Sequence, residues 1–176
     1  MNILESERQL INDAINSIGL ASEKSKQADN DIWNLHRGNI QLIVVAQTTE
    51  LHNETKKSTI CMMSPIVNIP ENFPKKLELY EFILDANHKF NTEAFSISNQ
   101  WLILSSNYFL SDMRLPEIVQ MLESTSFYAQ KFWEMLHDKF VYMFNPYHVG
   151  SSLVQACQAG WDMFENDPFL TSSKRQ

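Results

Sequence analysis

Apolar positions recur along this chain with two periods, near 3.6 and near 2, and the switches between them mark out its elements. Residues 3 to 18 place Leu10, Ile11, Ala14, Ile15 and Ile18 on one helical face at spacings of three and four. Gly19 follows the last of them, where a helix stop is expected. Ser22 to Asn30 is polar and aperiodic and reads as a linker. Asp31 to Arg37 (DIWNLHR) predicts a strand, Gly38-Asn39 a turn that tolerates positive φ, and Ile40 to Thr48 (IQLIVVAQT) the returning strand. Glu50 to Lys57 reads as a charged loop. Ser58 to Val67 predicts a third strand, whose regularity Pro65 is expected to end or bulge.

Pro70 and Pro74 bracket a break. Residues 73 to 88 predict a second helix, with Phe73, Leu77, Tyr80, Ile83, Leu84 and Asn87 along one side and Pro74 near its first turn. Glu93 to Ser98 and Trp101 to Phe109 predict another hairpin around Asn99-Gln100. A long helix is predicted from about Arg114 to Asn145, with Pro116 in its first turn and Asn145-Pro146 at its end. Ser151 to Phe164 predicts a short last helix, because Val149, Leu153, Ala156, Gly160 and Phe164 recur at three-four spacing. The tail from Thr171 is polar. Strands joined by short turns pair antiparallel. The expected fold class is therefore α+β: an antiparallel five-stranded sheet with helices packed on one face, in the order α-βββ-α-ββ-α, plus a C-terminal helix.

The long helix carries more apolar surface than one sheet face requires. Leu115, Ile118, Val119, Leu122, Ala129, Phe132, Trp133, Leu136, Phe140 and Phe144 gather in one broad stripe that should face the sheet. Met121, Tyr128, Met135 and Tyr142 repeat every seven residues in a second seam to its side. Two covers for that seam stay open. One is the C-terminal segment around Trp161 and Phe164. The other is a second chain, because Met and Tyr suit adaptable contact surfaces. These four residues are the candidate partner or dimer surface.

Composition narrows the functional classes. A chain of 176 residues with 44% hydrophobic positions can bury one core. Its 21 acidic and 14 basic residues give a net charge of −7, which disfavours nucleic acid and anionic membrane surfaces. No apolar run is long enough to span a bilayer, and the first residues (MNILESER) carry no leader pattern, so a cytoplasmic protein without membrane insertion is expected. Cys61 and Cys157 lie far apart and read as reduced, buried thiols.

Reactive chemistry is hard to place. His36, His52, His88, His137 and His148 show no metal-type spacing with each other, with cysteine or with carboxylates. The four glycines write no phosphate loop. Gly150-Ser151-Ser152 lacks the second glycine of a nucleophile elbow and reads as a helix cap. Catalytic, cofactor-binding and metal-binding residues are accordingly none, and no cofactor is expected.

One family resemblance emerges between Pro65 and Leu122. The run Ile69-Pro70, then Leu77-Glu78-Leu79-Tyr80-Glu81-Phe82-Ile83-Leu84-Asp85-Ala86-Asn87, resembles the YbjN-domain family. Phe95-Ser96-Ile97, Trp101-Leu102-Ile103-Leu104 and Leu110 to Leu122 are similar to that family's two strands and the start of its long helix, and Asp31-Ile32-Trp33 with Gly38-Asn39 to its opening hairpin. The family is similar in fold to type III secretion chaperones. The resemblance implies a YbjN or secretion-chaperone-like domain over residues 1–145, followed by a C-terminal helical extension and tail over 146–176. It further implies a non-enzymatic, chaperone-like or regulatory module, bacterial and homodimeric, whose partner is another protein or a second copy of itself. Asn87 carries over as a structural residue, expected to close its helix in a left-handed conformation. The competing expectation is a small-ligand sensor or enzyme with a pocket between sheet and helix, lined by Trp33, Trp101 and Trp133.

Overall fold

In the computed structural model the described residues are 3–21, 31–50 and 56–140. Their elements follow the expected order. Helix α1 (Glu5–Ser17) precedes strands β1 (Ile32–Arg37), β2 (Ile40–Glu50) and β3 (Lys56–Asn68). Helix α2 (Lys76–Lys89) leads to β4 (Glu93–Ser98) and β5 (Trp101–Phe109). A single 3-10 turn (Leu110–Asp112) then leads into the long helix α3 (Leu115–Lys139). The five strands form one antiparallel sheet in the order β1-β2-β3-β5-β4. All three helices send their buried side chains to the same face of it.

The turns form for the reasons their residues suggest. Gly38 sits at φ +61°, and the β4-β5 turn holds both Asn99 and Gln100 at positive φ, the twist that a two-residue hairpin requires. Pro65 does not end β3; the register shifts between Pro65 and Val67, and the strand continues past the bulge to Asn68. Both ends of the stretch read as a loop, Glu50 and Lys56 to Lys57, are strand, and residues 51–55 between them lie outside the described residues. Thr49 pairs with Lys57 and Glu50 with Lys56, continuing the β-favouring run through Thr48 and Thr49.

Two clusters fill the helix-covered face. The first lies under α1 and is largely aliphatic: Ile11, Ile15, Leu35, Leu42, Val44, Ile60 and Leu122, around the fully buried Trp33. Directed polar bonds tie it down. The Trp33 indole N–H donates to Asn12 (2.9 Å), and the Ser58 hydroxyl donates to Glu7 (2.7 Å). The Arg8 guanidinium donates to the buried Asp31 carboxylate at 2.7 and 3.3 Å. That hydrogen bond raises the Arg8 pKa above its usual value, against an opposing desolvation and with help from the Asp31 and Glu5 charges. The second cluster lies under α2 and is rich in aromatic rings, with Phe73, Phe95 and Phe140 buried among Leu79, Ile83, Leu102 and Leu136.

Four further expectations need correction. Helix α2 begins at Lys76, so Pro74 stands ahead of it and not in its first turn. Its buried side is Leu79, Ile83 and Ala86, while Leu77 and Leu84 face solvent. Two apolar stripes compete on this helix, and the Leu79–Ile83–Ala86 stripe packs with Phe73, Phe95 and Leu102 in the core. Asn87 Nδ2 donates to the Phe95 carbonyl (3.0 Å), and the Phe95 N–H donates to Asn87 Oδ1 (2.6 Å). Asn87 therefore acts structurally, but by pairing with the backbone of β4. It lies inside the helix, and the described non-glycine residues at positive φ are Asn99 and Gln100. Finally, α3 stops at Lys139, short of Asn145. Phe140 leaves helical geometry (φ −130°, ψ 49°) and buries its ring edge-on against Phe73 (5.8 Å) and Phe82 (6.4 Å). The short last helix, Tyr142, Phe144, His52, His148, Cys157 and Trp161 lie outside the described residues.

Candidate protein-binding surface

Helix α3 supplies the surface, so its anchoring comes first. Pro116 sits in its first turn, where a missing N–H is tolerated, and the Glu117 carboxylate accepts the Arg114 N–H (2.9 Å). Ile118, Leu122, Ala129 and Leu136 of the expected stripe are buried on the sheet; Val119, Phe132 and Trp133 are half-buried, and Leu115 is exposed. Thr125 and Ser126 are buried too, and both are satisfied. Thr125 shares a hydrogen bond with Ser106 of β5 (3.0 Å), and the Ser126 hydroxyl donates to the Leu122 carbonyl (2.6 Å).

The Met121–Tyr128–Met135 seam is graded along the helix. Met121 is buried in the cluster under α1. Tyr128 is half-buried against Phe90 (ring centroids 5.1 Å). Met135 is 41% exposed, and Phe127, beside Tyr128, is 61% exposed. Tyr142 lies outside the described residues. Tyr128 stands on a platform of edge-on or tilted rings: Phe90 on Phe132 (5.4 Å) and Phe95 on Phe132 (4.9 Å). Sequence reasoning missed Phe127 and this platform. Phe127 lies outside both stripes, and Phe90 sits between α2 and β4, where no periodicity operates.

Beside the seam, where α3 passes the β4-β5 hairpin, a cleft of about 380 Å³ opens. Phe90, Glu93, Tyr108, Met121, Ser124 and Tyr128 are among its walls, with Lys89 and Glu117 also contributing charge. Its volume is at the low end for a small-ligand pocket. The three tryptophans do not line it and fall in three different clusters. Trp33 belongs to the cluster under α1, Trp133 packs at the cluster under α2, and Trp101 points from the opposite face of the sheet. Among the described residues, no three His, Cys, Asp or Glu side chains gather as metal ligands. No described helix is long and apolar enough to cross a membrane.

The strand order, the single helical face and the terminal long helix together specify a known arrangement. The fold is that of the type III secretion chaperones. One solved relative is the HopA1-SchA chaperone–effector complex, at TM-score 0.53 and 9% identity, covering 75% of this chain and 98% of that one. Another is the Yersinia pestis type III secretion chaperone SycH in complex with a stable fragment of YscM2, at TM-score 0.51 and 14% identity, covering 71% and 98%. No family model and no curated protein matches the chain. In this fold the Tyr128–Met135 end of the seam lies toward the solvent flank of the long helix, and β1 and β4 are the two sheet edges. Asn87 already occupies backbone groups of β4 at Phe95.

Proposed function

We propose that this chain is a non-enzymatic protein-binding module, chaperone-like or regulatory, that self-associates as a homodimer through the Tyr128–Met135 flank of α3. The observation that carries the reading is the graded seam. Phe127 and Met135 leave large apolar groups in solvent beside a ring platform that holds Tyr128 in place. Exposed Met and aromatic side chains on a rigid helix are the material of contact surfaces. Support comes also from the fold relatives, whose structures hold a chaperone with a partner protein. Membership of the YbjN-domain family and a cytoplasmic setting form the finer part of the proposal. Light scattering tests it. The expected mass is twice that of the 20.5 kDa chain, and Tyr128→Asp with Met135→Asp should return it to a monomer. A dimer untouched by both substitutions would refute the assigned surface.

A small-ligand sensor or enzyme is the second reading, and the cleft at Glu93 and Tyr128 is what favours it. A thermal-shift screen separates the two. A saturating ligand whose effect disappears in Ser124→Phe, which fills the cleft, would favour this reading; no saturating ligand leaves the protein-binding reading in place.

A further inference from the structure

The face of the sheet turned away from the three helices is apolar at its centre. Alternation along the strands places Ile32 and Asn34 of β1, Ile43 and Val45 of β2, Cys61 and Met63 of β3, and Trp101 and Ile103 of β5 on that side. An antiparallel sheet with one bare face presents polar side chains there. Here, in one copy of the chain, Ile43 is 1% exposed, Cys61 2% and Ile103 3%. Side chains stand roughly perpendicular to a sheet, so neighbouring strands alone leave their outer ends in solvent. No described helix residue belongs to this cluster. Asn34, cross-strand from Ile43, adds a polar signal. Its Oδ1 is buried with no hydrogen-bond partner among the described residues. A buried amide oxygen calls for a donor from whatever lies over it.

Three stretches of the chain lie outside the described interior. Residues 22–30 (SEKSKQADN) and 51–55 (LHNET) are short and polar. Residues 141–176 hold Val149, Leu153, Ala156, Gly160 and Phe164 at three-four spacing, with Trp161 nearby. We propose that the outer face of the sheet is the docking surface of the chain's own C-terminal segment, residues 146–170. A segment with one apolar stripe covers one surface. The buried surface is the sheet face, whereas Phe127 and Met135 of the α3 flank stay exposed. The segment therefore seals the back of the sheet and leaves the seam open to a partner protein.

Cys61 sits at the centre of the sealed face and reports on it. In the full chain carrying Cys157→Ser, Cys61 is the remaining thiol. Its reaction with a small aromatic disulfide reagent should be about a hundredfold slower than in urea-unfolded protein, and independent of protein concentration. Adding Leu153→Asp and Phe164→Asp should speed labelling about tenfold or more with the far-UV circular dichroism unchanged. If the aspartates unfold the chain, Leu153→Ser carries the same test. Immediate labelling in the parent would show an open face and overturn the proposal. Protection that fades on dilution would assign the cover to a second copy. Protection indifferent to residue 153 would exclude the C-terminal segment.

Discussion

The two clusters on the helix-covered face share one sheet and one long helix, yet they are built from different materials. Under α1 the packing is aliphatic, and bonds of fixed direction lock it: Arg8 to Asp31, Trp33 to Asn12, Ser58 to Glu7. Under α2 the packing is aromatic. Its ring contacts run from 4.9 to 6.4 Å, and its described side-chain lock to the sheet is Asn87 on Phe95. Hydrogen bonds specify one arrangement. Edge-to-face rings tolerate small slides at little cost. Helix α3 crosses both regions; Phe127 and Met135, its most exposed large apolar groups, fall in the second, while Leu115 is exposed at its first turn. The comparison sets a half locked by directed hydrogen bonds beside a half packed by rings, and the surface proposed for partner contact lies on the second.

The largest expected effect breaks the hydrogen-bonded half. Trp33→Ala removes a fully buried ring and strands the Asn12 amide. It should lower stability by about 3–5 kcal/mol in urea unfolding. A loss below about 1 kcal/mol would deny that the cluster under α1 is the anchor. Next comes the described hydrogen-bond lock of the aromatic half. Asn87→Ala leaves the Phe95 N–H and C=O without their side-chain partners and should cost about 2 kcal/mol. Amide exchange should accelerate at Phe95 and stay unchanged in β1. The smallest effect sharpens the comparison from outside both clusters. Gln100 holds φ +68° in the β4-β5 turn. Gln100→Gly should relieve that strain for a gain of about 0.5–1 kcal/mol, read as a higher urea midpoint.

Much of this fold was legible because strands and tight turns write local signals. The β-branched apolar run in IQLIVVAQT, the Gly38-Asn39 pair and the ridge from Ile118 to Leu136 each follow from a propensity, a turn preference or a period. The order of elements and the single antiparallel sheet followed from them. The rotation of α2 did not, because Leu77–Leu84 and Leu79–Ile83–Ala86 are both plausible apolar stripes. Packing against Phe73, Phe95 and Leu102, which no local period can show, buries the second. The candidate surface was legible in part. A seven-residue repeat shows that Met121, Tyr128 and Met135 share a side of the helix. It cannot show that the sheet and α1 swallow Met121 while leaving Met135 in water. Nor could any local pattern join Phe90, at the end of α2, to Tyr128 across the chain.

Hydroxyl-radical footprinting across a concentration series tests the contact surface most directly. Met135, Tyr128 and Phe127 should lose reactivity as the chain associates, while the more exposed Leu77 and Leu84 of α2 keep theirs. Protection confined to Leu77 and Leu84, with Met135 oxidised at one rate throughout, would contradict the account.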